Sequence, residues 1–173
     1  MDERMNLLLC MCEHEEFDPV QAESLLGQVD VNALFLHPDG EGETTLLNAA
    51  AMHLNLKMVK MLLQKGADPN AVVGDQSVFE TMDDHVVLGA MHFEIQGRDQ
   101  VPYEKEFRIW LLMMAYGGHL QNGQEALAMK NGYSVDIFKD CENFSFCKRV
   151  AKGEWHLHIY FTSTKEEVAV LSC

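Results

Sequence analysis

Three residues near the start of the chain, Cys10, Cys12 and His14, have side chains that can bind a transition metal, and Glu15 and Glu16 follow them. Zinc sites that use cysteine usually have Cys-x-x-Cys spacing or ligands one helical turn apart. On a helix, residues two positions apart point to different faces, and cysteine is also a common buried residue. We therefore predict that this segment contributes to packing, that its acidic residues form a solvated cluster, and that it holds no metal.

A second group lies near the end of the chain, where His156, His158 and Tyr160 occupy alternate positions. On a strand they share one face, and two imidazoles there could converge on a metal or a phosphate. The sequence identifies no third ligand, so it favours a polar sheet face. Binding of a small ligand or a metal, or an enzyme site, at these three residues stays the alternative hypothesis for function.

Other candidate residues carry weaker signals for chemistry. Cys141 and Cys147 are potential nucleophiles, but no adjacent residue is expected to activate either thiol. Asp83, Asp84 and His85 form a polar cluster that indicates a solvated helix end or a partner contact rather than catalysis. We therefore predict a protein that is not an enzyme and that needs no cofactor and no metal.

The composition indicates a folded, acidic protein. The chain has 173 residues, of which 47% are hydrophobic, and its 13 basic and 27 acidic residues give a net charge of -14. This charge disfavours nucleic acid as a partner and favours a basic protein. No segment resembles a signal peptide, and no apolar window approaches the ~20 residues that cross a bilayer. With five cysteines, an odd number, we expect reduced thiols, a cytoplasmic location and no membrane contact.

The most regular part of the chain extends from Thr44 to Ala71 and predicts two short antiparallel helices. Thr44 can cap the first helix, and an interruption over 53–55 precedes the second. Gly66 then ends the second helix, as a C-terminal glycine often does. Because one such pair cannot bury both of its faces, neighbours of the same kind are expected.

Two weaker copies of this pattern flank the central pair. Residues 25–33 repeat the apolar pair and the turn of residues 62–71, and residues 110–118 repeat the helix ending before two glycines. The sequence DGEGET at 39–44 matches Asp-x-x-Gly-x-Thr, TTLLNAA at 44–50 matches Thr-Pro-Leu-His-x-Ala-Ala, and GADPNA at 66–71 matches Gly-Ala-Asp-x-Asn-Ala.

On these motifs the chain resembles the ankyrin repeat over about residues 4–120, most strongly in the central repeat. The resemblance implies a mainly α fold, an ankyrin-type helical-hairpin solenoid of about three repeats. Leu47 replaces the histidine of the family and is expected to contribute apolar packing instead. Asn32 and Asn70 are 38 residues apart, against a family period of 33, and the third repeat is expected to carry an insertion at about 90–103.

The remainder of the chain has a different pattern. Helical segments are predicted over 124–131 and 136–143, and a period of two then predicts an antiparallel three-stranded β-meander over 144–172. Lys152 and Gly153 are expected to form its first tight turn. We thus expect an ankyrin-like domain at 1–123 and a C-terminal part at 124–173 whose meander caps the last repeat.

The ankyrin resemblance implies a non-enzymatic protein–protein interaction module. Its partner contacts would come from the turn tips and the adjacent ends of the first helices, on the concave surface. A narrower hypothesis is an immunity protein that neutralises a basic toxin acting on nucleic acid. The residues that the resemblance assigns to partner binding are Gly40, Glu41, Glu43, Ala51 and Met52 in the central repeat, and Val73, Gly74, Gln76, Asp84 and His85 in the third.

Overall fold

The helices occur in consecutive pairs. The structure is a computed structural model that describes residues 2–40, 42–84, 86, 104–119 and 126–172. In these ranges, α1 and α2 are followed by α3 and α4, and then by α5 and α6. Their bounds are Glu3–Glu13 for α1, Pro19–Leu26 for α2, Leu46–Met52 for α3, Leu56–Gln64 for α4, residues 78–84 for α5 and Glu104–Ala115 for α6.

Side chains that cap the backbone fix where the central helices begin. Thr45 Oγ1 accepts a hydrogen bond from the amide of Asn48 at 3.1 Å, so Thr45 is the N-cap of α3 and the prediction of Thr44 was wrong by one residue. Ser77 and Glu80 form a reciprocal capping box before α5, with bonds of 3.1 and 2.9 Å. Because these caps satisfy free amides, α3 and α5 have defined starts.

Asn55 links two neighbouring helix pairs. Its Oδ1 caps α4 by accepting from the amide of Met58 at 3.1 Å. Its Nδ2 lies within 3.2 Å of the backbone oxygens of Met11, Cys12 and His14, at the end of α1. Asn55 is buried, so these hydrogen bonds fully pair a side chain that would be costly to bury alone.

The helix pairs pack side by side and share one core. Helix α1 contacts α2, α3 and α4, and α4 contacts α6. Leu46, Leu62 and Leu112 come from three different helices and belong to the same buried cluster. Leu47 is also buried in it, as expected for an apolar replacement of the family's histidine.

Two asparagines at equivalent positions connect the loops that follow the second helices. Asn32 donates to the carbonyl oxygen of Gly66 at 3.0 Å and accepts from the amide of Asp68 at 2.8 Å. Asn70 does the same one pair further along, donating to Gly117 at 2.9 Å and accepting from the amide of His119 at 3.1 Å. The same pair of bonds therefore recurs between successive helix pairs.

A two-stranded hairpin precedes each of α3 and α5, and we call these hairpins finger 1 and finger 2. In finger 1, β1 (Phe35–Leu36) pairs with β2 (Glu43–Thr44). In finger 2, β3 (Val72–Val73) pairs with β4 (Gln76–Ser77) through a turn of two residues. Gly74 starts that turn at φ +72°, a conformation that favours glycine.

The C-terminal sheet has four antiparallel strands, so the prediction of three was incomplete. The strand order is β5-β8-β7-β6. The helix predicted over 124–131 is wrong at Ala126–Met129, which forms β5 and pairs with β8. Alanine, leucine and methionine favour helix, but pairing with a neighbouring strand overrides that preference. The strands are β5 (Ala126–Met129), β6 (Phe144–Ala151), β7 (Glu154–Phe161) and β8 (Glu167–Ser172).

Other predictions for this part are confirmed. A 3-10 segment over Val135–Asn143 lies where a short helical segment was predicted over 136–143. Lys152 and Gly153 both have positive φ and form the two-residue turn between β6 and β7.

The sheet packs against the third helix pair. The rings of Phe107 in α6 and Phe146 in β6 are stacked with centroids 5.7 Å apart. Arg108 Nη1 donates to the carbonyl oxygen of Cys141 in the 3-10 segment at 2.5 Å. Apolar and polar contacts thus join the sheet to α6.

Two of the predictions concern residues that the structure does not describe. The insertion predicted at about 90–103 and the domain boundary predicted at 123/124 both lie outside the described residues. Among the helices that are described, none is long and apolar enough to cross a bilayer.

Candidate protein-binding surface

The tips of the fingers and the adjoining helix residues form what we call the finger surface, residues 39, 40, 42, 43, 52, 72–76 and 84. In finger 1, Gly40 and Glu43 are exposed. Met52, the last residue of α3, is 39% exposed. Ala51 is only 1% exposed, so a partner cannot contact its side chain in this structure.

Finger 2 contributes the remaining described candidates. Val73 and Gln76 are partly buried, whereas Gly74 and Asp84 are exposed. Gln76 Nε2 donates to Asp84 Oδ2 at 2.9 Å, which joins the finger to α5. This contact brings together two residues that the sequence assigned to the same surface. Glu41 and His85 lie outside the described residues.

Three apolar side chains on or next to the fingers are also exposed. The sequence interpretation did not assign them to binding. Leu36 in β1 is 70% exposed, and Leu34 and Val72 are exposed as well. All residues in the run Leu34-Phe35-Leu36 are apolar. The hydrophobic pattern therefore could not show that Leu34 and Leu36 are exposed while Phe35 is partly buried. Exposed apolar groups of this kind are suited to contact with another protein.

His37 ties finger 1 to the first helix pair. Its Nε2 lies 3.3 Å from Glu13 Oε1 at the end of α1, and its Nδ1 lies 3.5 Å from Asp39 Oδ2. The largely buried imidazole therefore connects two carboxylates on separate elements and helps to position the finger.

Lysine and arginine are absent from the sequence around both fingers. No lysine or arginine occurs over 34–56, which includes finger 1 and α3, or over 66–97, which includes finger 2 and α5. The basic residues of these two helix pairs lie instead on or next to the second helices, and several of them form ion pairs there. These ion pairs are Lys65 with Glu23, Lys105 with Glu15, and Arg108 with Glu104.

The polar cluster predicted at residues 83–85 is divided between core and surface. Asp83 is 7% exposed, and Trp110 Nε1 donates to its Oδ1 at 2.8 Å. The Trp110 ring also stacks on Phe79, with centroids 5.9 Å apart. Asp83 therefore has a structural role, whereas exposed Asp84 is available to a partner.

The cysteines near the start of the chain have different environments. Cys10 is exposed, and Cys12 is buried. Burial, with a smaller contribution from Glu13, raises the pKa of the Cys12 thiol to about 12. In the described part of the chain, no group of three or more metal-binding side chains is arranged to hold an ion.

A second polar region lies on the outer face of the C-terminal sheet. His156, His158 and Tyr160 share this face, as the alternation predicts, and all three are partly buried. His156 Nδ1 lies 2.8 Å from Ser172 Oγ, and His158 Nδ1 contacts Glu167 Oε1. Sequence reasoning missed Glu167, because only the strand register brings it next to His158.

A groove of about 610 Å³ lies elsewhere, between the 3-10 segment and the β7–β8 turn. Ile137, Phe144 and Phe161 form its apolar wall. None of the three residues of the alternative hypothesis lines this groove, so it does not provide them with a binding pocket.

Consecutive helix pairs, with a short hairpin before α3 and another before α5, are typical of repeat proteins. The family model described as "Ankyrin repeat" matches residues 41–73, which confirms the resemblance for the central repeat. Neither the curated proteins nor the solved structures include a significant match to the chain. Ankyrin repeats generally mediate protein–protein interaction and are typically non-enzymatic.

Proposed function

We propose that this protein is a non-enzymatic interaction module and that a basic protein binds its finger surface. The observation that carries the proposal is the segregation of charge. The segments 34–56 and 66–84, which include both fingers, contain acidic residues and no lysine or arginine. Such a surface attracts a basic partner from a distance and repels acidic ones, which increases both association rate and selectivity.

We further infer that the three helix pairs form an ankyrin-type solenoid of about three repeats, with the fingers along its concave side. The recurring hydrogen bonds of Asn32 and Asn70 support this inference, because both residues join one loop to the next with the same geometry. The exposed side chains of Leu36 and Met52 would supply apolar contacts within the acidic surface.

A narrower proposal is that the basic partner is a toxin that acts on nucleic acid and that this protein neutralises it. An enzyme that binds nucleic acid needs a basic surface, and an acidic protein can cover that surface. The support for this version is the charge of the chain and analogy with small acidic ankyrin-like proteins. Inhibition of the captured partner's nuclease activity by the purified protein tests it.

Affinity purification from the native cell lysate tests the general proposal. The wild-type chain is compared with Glu43→Lys/Asp84→Lys and with the matched control Glu142→Lys/Glu154→Lys. All four positions are exposed, and both double variants change the net charge from -14 to -10. The control residues lie in the 3-10 segment and at the start of β7, away from the fingers.

We expect the wild type and the control to retain the same basic partner, and the finger variant to lose it. Circular dichroism of all three proteins shows whether the finger variant is folded. Recovery of acidic partners only, or equal recovery by both double variants, would contradict the proposal.

A further inference from the structure

The outer face of the C-terminal sheet brings a thiol next to a histidine. In the antiparallel register of β6 and β7, Cys147 lies directly opposite His158. Directly opposite residues share a face and have Cβ atoms about 4.5–5.5 Å apart. Cys147 is exposed, and His158 is partly buried. The thiol is therefore accessible to small molecules, and its Sγ lies 3.9 Å from the carbonyl oxygen of Lys148. The imidazole of the facing residue is held by its surroundings.

Glu167 and Tyr160 hold that imidazole on either side. His158 Nδ1 contacts Glu167 Oε1, and the His158 ring stacks on Tyr160 with centroids 6.4 Å apart. Hydrogen bonds from Lys130 first, and then from His158, lower the pKa of Glu167 to about 2, so this carboxyl is ionised near neutral pH. When Nδ1–H donates to Glu167, Nε2 is the unprotonated nitrogen and can accept a proton.

Arg149 adds a positive charge on the same face. It lies two residues from Cys147 along β6, opposite His156, and its side chain is exposed. Arg149 Nη2 lies 3.4 Å from the Tyr160 hydroxyl. Burial, and then the charge of Glu167, raise the pKa of Tyr160, so its phenol is neutral. A guanidinium at this place can attract an anionic group that approaches the thiol.

The other described cysteines provide a comparison within the same chain. Cys12 and Cys141 are buried, and burial is the main cause that raises the pKa of each thiol. Cys10 is exposed like Cys147, but it lies on α1 in the acidic part of the chain. Exposure alone therefore does not distinguish Cys147; the facing histidine and the nearby arginine do.

We propose that Cys147 is a nucleophilic thiol that reacts with small anionic carbon electrophiles, with His158 as its proton acceptor. Glu167 orients His158, and Arg149 binds the negative charge of the reagent. His158 Nε2 takes the thiol proton as Sγ attacks the carbon. The S–C bond forms while the bond from carbon to the leaving group breaks with its electron pair, and the leaving group departs as an anion. The imidazolium then returns its proton to water.

Alkylation of the folded wild-type chain near pH 7 tests the proposal, with iodoacetate as the anionic reagent and iodoacetamide as the neutral one. Peptide mass spectrometry gives a separate rate for each cysteine, and Cys10 is the internal reference. We expect Cys147 to react about tenfold faster than Cys10 with iodoacetate. The ratio of iodoacetate rate to iodoacetamide rate should be about fivefold higher at Cys147.

Variants separate the contributions of the neighbours. His158→Gln should lower the Cys147 rate with both reagents by about tenfold, and Glu167→Gln should lower it less. Arg149→Gln should lower only the preference for iodoacetate. His156→Gln is the matched control on the same strand and should leave the Cys147 rate unchanged. In every variant the Cys10 rate should stay constant.

Two results would overturn the proposal. One is equal reactivity of Cys147 and Cys10 in the wild type, which needs no variant to fold. The other is a folded His158→Gln protein, verified by circular dichroism, in which Cys147 keeps its wild-type rate. The outcome is independent of partner binding at the finger surface, because none of these residues belongs to that surface.

Discussion

The helix pairs and the C-terminal sheet differ in how they use charge. Residues 1–125 contain 7 lysines and arginines and 21 acidic residues, whereas residues 126–173 contain 6 of each. The net charge of the protein therefore equals that of residues 1–125, which include the helix pairs and the fingers. The sheet is electrically neutral, although it has His156 and His158 on its outer face.

This difference indicates two kinds of surface in one molecule. An excess of one charge acts over distances of about a Debye length and is suited to attracting a large partner. On the neutral sheet, contacts such as that between His158 and Glu167 act over a few ångströms. Recognition on the finger surface should therefore be sensitive to salt, whereas the properties of the sheet should depend on single neighbouring groups.

The largest effect that we expect is the loss of stability when Asn55 is replaced. Asn55→Ala removes the cap of α4 and the donor to the backbone oxygens at the end of α1. We expect a decrease of roughly 3 kcal/mol in the free energy of unfolding, measured by urea titration. Asn48→Ala is the control, because Asn48 Nδ2 bonds only locally to Thr44 and should cost less than about 1 kcal/mol. An equal decrease in the free energy of unfolding for Asn55→Ala and Asn48→Ala would show that Asn55 does not link the helix pairs.

A smaller effect is expected at the two asparagines that join successive loops. Asn32→Ala and Asn70→Ala each remove one donor and one acceptor at equivalent positions. Each should lower the free energy of unfolding by about 1 kcal/mol, because the bonds are largely exposed. Similar values for the two variants would support equivalent stacking of the repeats. A clear loss for one variant and none for the other would contradict it.

The smallest effect concerns the sheet and appears only at low pH. Folding lowers the pKa of Glu167 to about 2, from about 4.3 in an unfolded chain. Its contribution to stability is therefore present above about pH 4.3 and is lost as the pH falls toward 2. We expect this contribution to be about 0.5 kcal/mol after allowing for solvent screening.

Urea titrations between pH 6 and pH 2.5 measure this contribution. Glu167→Gln should flatten the decline of stability with falling pH, whereas exposed Glu154→Gln should not. Parallel curves for the wild type and Glu167→Gln would contradict the assignment.

The sequence predicted the helix pairs well, because their signals are local. Gly66 adopts φ +89° after α4, as the C-terminal glycine indicated. The equivalence of Asn32 and Asn70 was visible as a repeat, although their hydrogen bonds to the next loop were not. By contrast, Ala51 was assigned to the surface from its place in the motif, and packing with neighbouring helices buries it.

The sheet was predicted less completely, because strand pairing depends on residues far apart in the chain. β5 contains only four residues of weak strand preference, and its pairing with β8 spans about 40 positions. The same limit applied to Cys147, His158 and Glu167. Cys147 and His158 were noted separately and Glu167 was missed, because only the register of three strands places them together.

Recruitment of a basic partner by the acidic fingers is measured by the association rate of the captured partner. Biolayer interferometry at 50 and 500 mM NaCl gives this rate for the wild type, Glu43→Lys/Asp84→Lys and Glu142→Lys/Glu154→Lys. We expect the wild-type rate to fall at least about tenfold with salt. At low salt, the finger variant should be slow and the control variant nearly as fast as the wild type. Rates that do not change with salt, or that fall equally in the two variants, would contradict the claim.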